Sequence, residues 1–196
     1  MIKEITFKKT TYLIGELFFS EDGVTSYKAK DPKGKDFLVS IYEEGAFSYA
    51  LGNLKKLKKA GIKSPKIIVS DETLLATLQE MPKGDNLLSL LSKGPLEAPV
   101  MKDMFRCYQL CRFSKIALSY HPEYFIYDGK DMTYLSFLLF PSIPERAFEG
   151  DPIREYFLGV EGLSHLREKG YPMEGVTPLP ENVVNKQIVL ASISFW

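Results

Sequence analysis

The chain has 196 residues, 45% hydrophobic and 26% charged, a balance that supports the buried core of one large domain or two small lobes and excludes a low-complexity chain. Its 25 basic and 25 acidic side chains cancel, so no bulk field draws it toward nucleic acid or an anionic membrane. No apolar run approaches the ~18–20 residues of a spanning helix, and the N-terminal "MIKEITFKKTTYLIGELFF" is interrupted by charge where a signal peptide would be continuously apolar. A cytoplasmic protein with no membrane or nucleic-acid partner is the expectation.

The first eighty residues read mostly as strands. "TTYLIGELFFS", the turn "EDG", "VTSYKAKD", the turn "PKGK" and "DFLVSIYEE" predict a three-stranded meander, because two turn signals separate aromatic and β-branched runs. In "AFSYALGNLKKLKKAG" the period changes. Phe47, Ala50, Leu51, Leu54 and Leu57 recur at helical spacing, Lys55, Lys56, Lys58 and Lys59 take the other face, and Gly61 can adopt the left-handed conformation that ends a helix. "PKIIVSDETLLATLQEM" predicts a hairpin turning around Ser70–Glu72, and "KGDNLLSLLS" a short helix capped by Asp85.

A long amphipathic helix is expected over about residues 98–118, with Pro99 in its first turn. Val100, Met104, Cys107 and Cys111 share one stripe of it, which makes the two cysteines small core hydrophobes; the only histidines, His121 and His165, have no paired spacing that would complete a metal site. "YFIYDGKDMTYLSF" predicts a second hairpin turning at Asp128–Asp131. Asp151 and Pro152 form an N-cap and first-turn pair for a helix running to about Lys169 and closed by Gly170. The last fifteen residues are ambiguous between helix and strand. The order of elements is an α+β pattern in two lobes: residues 1–81, β-rich with one helix, and residues 82–196, mostly helical with a hairpin and a tail.

This order resembles the protein-kinase-like fold with a minimal large lobe, in a short bacterial form similar to the RIO and lipopolysaccharide-kinase-like branches. The resemblance is carried by "VTSYKAKDPKGKDFLVSIYEE", "LGNLKKLKKAGIKSPKII", "TLLATLQEMPKGDNLLSLL" and "LSYHPEYFIYDGKDMTYLSF" over about residues 10–140. It implies a cleft where ATP and Mg²⁺ would be held by glycines, a strand lysine, a helix glutamate, a catalytic-loop aspartate, an asparagine and a second metal aspartate.

The residues at those positions do not fit that chemistry. Gly15 and Gly23 remain in the phosphate loop, but Glu21 and Asp22 stand at its tip, where carboxylates would repel a triphosphate. Ser40 stands where the resemblance places the lysine, with Tyr42 the next match; Ala50 stands for the helix glutamate, Ser119 for the catalytic aspartate, Tyr124 for the asparagine and Ser136 for the metal aspartate. A serine hydroxyl does not replace a carboxylate for Mg²⁺, and losing one major electrostatic group typically costs ~10²–10³ in rate. The implied protein is therefore a pseudokinase that binds a protein partner or small ligand, with no catalytic or metal residues and no cofactor expected. The alternative is a divergent ATP-dependent phosphotransferase in which His121, Glu123 or Asp131 has taken over a lost role. Either way Ser40, Ser119, Tyr124 and Ser136 should surround one cleft, with Tyr124 filling part of it.

Several residues invite a second reading. Glu80 and Met81, at the expected hinge, would offer backbone groups to an adenine. His121 fits a general base, but with no carboxylate placed to orient it a structural role in the turn is favoured. Asp128 and Asp131 fit turn chemistry better than a metal site, and the Lys55–Lys59 cluster fits a solvated helix face. Of the late aromatics Phe140, Phe148, Tyr156, Phe157, Tyr171, Phe195 and Trp196, most suit a core; an exposed Phe195–Trp196 pair would suit a partner surface.

Overall fold

Alternation of inward and outward side chains builds a six-stranded antiparallel sheet from the first eighty residues. A computed structural model describes residues 3–141 and 152–193. The architecture is mixed α+β, in two compact units: Met1–Lys59 with Ser64–Pro82 and Leu135–Phe137, and Ala60–Lys63 with Lys83–Tyr134 and Leu138–Trp196.

The first unit contains β1 (Glu4–Phe7), β2 (Thr10–Glu21), β3 (Val24–Lys30), β4 (Asp36–Tyr42), the helix α1 (Ala46–Ala60), β5 (Ile67–Asp71) and β6 (Ala76–Glu80), in the sheet order β1-β2-β3-β4-β6-β5. The predicted meander is β2–β3–β4. The Asp22–Gly23 turn closes its first hairpin, with Glu21 opposite Val24 and Gly23 at φ 77°. One face of the sheet carries the apolar cluster Phe7, Tyr12, Ala29, Phe37, Val39, Ala76 and Leu78, in which Tyr12 meets Phe7 and Phe37 edge-on. The segment "GELFFS", part of the phosphate loop that the resemblance implies, is the continuous second half of β2, as the strand pattern of "TTYLIGELFFS" predicts, with register irregularities on either side of Leu17. The β5–β6 turn lies later than expected, because the Asp71 carboxylate accepts from the N–H groups of Thr73 and Leu74 and so starts the turn one residue before Glu72.

The second unit holds β7 (Asp85–Asn86), α2 (Leu87–Leu91), α3 (Ala98–Phe113), β8 (Ile116–Leu118), β9 (Phe125–Tyr127), β10 (Met132–Tyr134), β11 (Leu139–Pro141), a 3-10 segment at Pro152–Phe157, α4 (Val160–Glu168) and α5 (Glu181–Ile193). Its small sheets are β10-β9-β7 and β11-β8. Asn86, not Asp85, caps α2: its side chain accepts from the Leu88 N–H, while Asp85 pairs with Tyr127 in the sheet. The helix expected to reach residue 118 stops at Phe113, since Lys115 turns to φ 57° and the next three residues pair with β11. Val100, Met104, Cys107 and Cys111 are buried on α3 as its stripe requires, and burial pushes the Cys111 thiol up to about 12. The helix expected after Asp151 is divided by Leu158, at φ 54°, into the 3-10 segment and α4; Asp151 itself lies outside the described residues. The ambiguous tail is helical through α5. No helix of the described residues is long and apolar enough to cross a membrane.

Candidate functional site

Register across three strands of the first unit sets a row of polar side chains on the sheet face opposite the apolar cluster. Ser26 pairs with Ser40, and Ser40 with Thr77. All three are buried, as is Gln79 two residues along β6. Ser26 Oγ and Ser40 Oγ are 2.7 Å apart; Gln79 Nε2 donates to Ser40 Oγ at 3.0 Å and to Thr77 Oγ1 at 2.7 Å; the Tyr42 hydroxyl reaches Thr77 Oγ1 at 3.3 Å. Burial holds the Tyr42 phenol above its usual range, so it stays neutral. The network satisfies its members with one another and contains no cation, which is the economical way to bury polar groups.

Tyr42 connects this network to the segment Leu135–Phe137, its ring 6.1 Å from that of Phe137 and 5.6 Å from that of Phe47 on α1. There the fully buried Ser136 donates to Glu21 Oε2 at 2.5 Å, and the Phe137 N–H donates to Glu21 Oε1 at 3.1 Å. Asn53, buried one turn after Ala50 on α1, donates to the Phe137 carbonyl at 3.1 Å. Glu21 is thus not a free acid at a hairpin tip. Its carboxylate is the acceptor that ties the β2–β3 hairpin to residues 136 and 137.

Burial raises the Glu21 carboxyl above its ordinary 4.5, and the bonds from Ser136 and Phe137 only partly offset this. Folding therefore makes this carboxyl easier to protonate than it is in the unfolded chain. The resulting stability is complete below about pH 4.5 and is lost as pH rises through the raised folded value. Glu21→Gln, which keeps an acceptor oxygen without the charge, should melt above the parent at pH 7, and the gap should close as pH falls toward 4, in paired thermal melts. A variant clearly less stable at pH 7 would mean that the charge-assisted bonds outweigh desolvation.

In the second unit, Ser119 is half-buried and its N–H donates to the Tyr134 hydroxyl at 3.0 Å, which in turn donates to the Leu138 carbonyl at 3.0 Å. The Tyr124 ring lies 5.1 Å from that of His121. His121 Nδ1 is 2.8 Å from the Tyr171 hydroxyl, fifty residues later in the chain. Tyr156, fully buried, donates to the Tyr120 carbonyl at 2.8 Å and anchors the same stretch.

The hairpin turn Asp128–Asp131 is set by Asp128 Oδ1, which accepts from the N–H groups of Lys130 and Asp131. Lys63 Nζ stands 2.7 Å from Asp128 Oδ2 and 3.6 Å from Asp131 Oδ2, and the lysine with these N–H donors holds the exposed Asp128 carboxyl down to about 2. Arg106 reaches Asp131 at 3.6 Å and Asp103 at 2.7 Å. An open cavity of about 540 Å³ beside Gly84, Leu96 and Tyr127 is lined by three acids, Asp85, Glu97 and Asp128, and one cation, Lys93.

The structure thus assigns Ser40, Ala50 and Ser136 to the first unit, where Tyr42 and Phe137 link Ser40 to Ser136, and Ser119 and Tyr124 to the second. Glu80 ends β6 with its N–H donating to the Lys66 carbonyl at 2.9 Å, so its carbonyl and the half-buried Met81 are what that segment has left to offer a ligand. Among the described residues no group of three or more His, Cys, Asp or Glu could hold a metal ion. Tyr156 and Phe157 are core, Tyr171 is half-buried and Phe140 is exposed; Phe148, Phe195 and Trp196 lie outside the described residues. Lys55, Lys56, Lys58 and Lys59 form an exposed face. No family model and no curated protein matches the chain.

Sequence reasoning missed Gln79, Thr77, Asn53 and Tyr171. The first two are legible only once β6 is set in register against β4. Asn53 sits on the buried stripe of α1 at the position between Ala50 and Leu57, a periodicity signal that its polarity conceals.

Proposed function

We propose that the chain is a kinase-like protein that has lost phosphoryl transfer, a pseudokinase of two lobes, residues 1–81 and 82–196, that acts by binding a protein partner or small ligand. The observation that carries this reading is Ser40. It occupies the position where the resemblance calls for a phosphate-gripping lysine, and its hydroxyl is committed to Ser26 and Gln79 inside a neutral network. Ser136, at the metal-aspartate position, is committed to Glu21 in the same way. Phosphoryl transfer depends almost wholly on positioned charge, and these positions supply hydroxyls already in use.

The expected result is no Mg²⁺-dependent turnover of ATP above a buffer blank. The melting temperature should also stay unmoved by Mg²⁺–ATP, although a native-state ligand at a hundred times its Kd would add ~2.7 kcal/mol. Adenosine, which needs only backbone groups such as those of Glu80 and Met81, should bind at least as well as Mg²⁺–ATP by calorimetry. Turnover abolished by EDTA would instead establish the divergent phosphotransferase of the atypical kinase type, with ATP and Mg²⁺ as its cofactors. In that case His121 and Glu123 are better placed than Asp131, whose carboxylate faces Lys63 and Arg106.

A further inference from the structure

Where α5 packs against the start of α3, the second unit leaves a cavity of about 500 Å³. Leu96, Pro99 and Met101 form one side of it, and Leu190 and Ala191 of α5 the other. A volume of this order is what small-ligand sites have, ~300–1,000 Å³. Leu190, though it lines the cavity, is 57% exposed, so the apolar wall remains open to water. Two polar side chains interrupt that wall. Gln187 is half-buried, and its amide makes no hydrogen bond among the described residues; Lys102 is exposed at the head group while its side chain lines the cavity.

A second cavity, of about 430 Å³, shares Pro99, Lys102 and Ala191 with the first and adds Arg106 and Lys130. Its one carboxylate is that of Asp103, which already accepts from Arg106 and from the Met132 N–H. Arg106 is in turn divided between Asp103 and Asp131. Lys102 and Lys130 make no ion pair among the described residues. The acids Glu97 and Asp128 line the adjoining cavity, which holds Tyr127 and Gly129 in common with this one. The wider surroundings are therefore close to neutral, and two uncommitted ammonium groups suit a single negative charge better than a phosphate dianion. An apolar recess thus continues into a small site for one anion, with Lys102 at the join.

We propose that these joined cavities bind a free medium-chain fatty acid, its acyl chain between α3 and α5 and its carboxylate at Lys102 and Lys130. The apolar wall supplies affinity through each methylene removed from water. The ammonium groups fix which end of the molecule points outward, and Gln187 offers a donor beside them. The inference uses none of the kinase-motif positions and stands whether or not the kinase-like reading does.

The probe is decanoate, below its aggregation threshold, titrated into the full chain by calorimetry beside decan-1-ol and hexanoate. One decanoate should bind per chain, more tightly than the alcohol of equal length and at least roughly tenfold more tightly than hexanoate. Lys102→Met keeps the stem without the charge; it should weaken decanoate roughly fivefold and leave the alcohol unchanged. Ala98→Trp places a large ring at an exposed position on the cavity wall and should weaken both. In methyl NMR of the unsubstituted protein, decanoate should shift the signal of Met101, in the cavity wall, and leave that of Met173, outside it, in place. A still Met101 signal, decanoate no tighter than the alcohol, or an indifferent Ala98→Trp would overturn the proposal. So would binding to anionic vesicles without binding of monomeric decanoate, or a dimer that Ala98→Trp disperses, since these put a membrane surface or a second copy in the recess. The NMR measurement decides the matter even if a variant fails to fold.

Discussion

Gly84→Ala should remove most of the stability of the second unit, by roughly 3–5 kcal/mol in urea denaturation. Gly84 sits at φ 114°, a conformation that residues with a Cβ rarely adopt, and an added Cβ would lie 2.1 Å from the Tyr127 carbonyl oxygen and 2.7 Å from the Asp128 Cα. Both obstacles are backbone, so no rotamer change relieves the clash. The strand carrying Tyr127 would have to move, and it is paired with Asp85 on one side and Met132 on the other. Gly94→Ala makes the matched control. Its φ is 134° and nothing lies within 4 Å of its added Cβ, so it carries conformational strain without collision and should cost about 1–3 kcal/mol. If the two variants were equally stable, the close approach at Gly84 would be the wrong explanation for the glycine.

Asp103→Ala should cost about 2–4 kcal/mol, because it strands two donors at once. One carboxylate oxygen accepts from the buried Met132 N–H, and the other from Arg106 Nε at 2.7 Å. The aspartate side chain is only 10% exposed, so water does not readily replace it. Asp103→Asn is the informative partner. Its single oxygen can serve only one donor, and its amide group would face the other with a hydrogen, so it should fall between the parent and the alanine variant. An asparagine variant as stable as the parent would show that the charge and the second bond contribute nothing.

The elements marked by local chemistry were legible before the structure. The Asp22–Gly23 and Pro32–Gly34 turns delimit β2, β3 and β4, and the period from Phe47 to Leu57 with Gly61 beyond it delimits α1. Where the punctuation is non-local, the reading slipped. Nothing like glycine or proline ends α3; Lys115 takes a left-handed conformation because residues 116–118 pair with β11, a partner more than twenty residues away. The strand β1 went unread, since a four-residue strand carrying Lys8 and Lys9 beyond it gains its identity from pairing with Tyr12 and Leu13.

The candidate site divides along the same line. Ser40, Ser119 and Ser136 could be named from motif order, but what each does depends on partners remote in sequence: Gln79, Tyr134 and Glu21. Glu21 shows the limit most clearly. An acid beside Asp–Gly at a hairpin end reads as solvent-facing, and only the fold supplies Ser136 and the Phe137 N–H to hold it. His121 was read as lacking an orienting carboxylate; the group the structure places at its Nδ1 is a phenol, that of Tyr171, fifty residues away.

The path of the chain also sets a timetable for synthesis. Glu21 and Ser136 are 115 residues apart, so at ~5–20 residues per second a ribosome needs roughly 6–23 s to deliver the partner after the glutamate has emerged. From the completion of β6 at Glu80 until then, the nascent first unit has its whole sheet and its helix but lacks Leu135–Phe137. The Tyr42 and Tyr49 rings then miss an aromatic neighbour, Phe137, and Asn53 misses its acceptor. The first unit is therefore completed only after much of the second has been translated. A message truncated between the codons of Glu80 and Phe137 would release a complete sheet with its aromatic surface uncovered, the kind of species that chaperones retain and that aggregates when they do not.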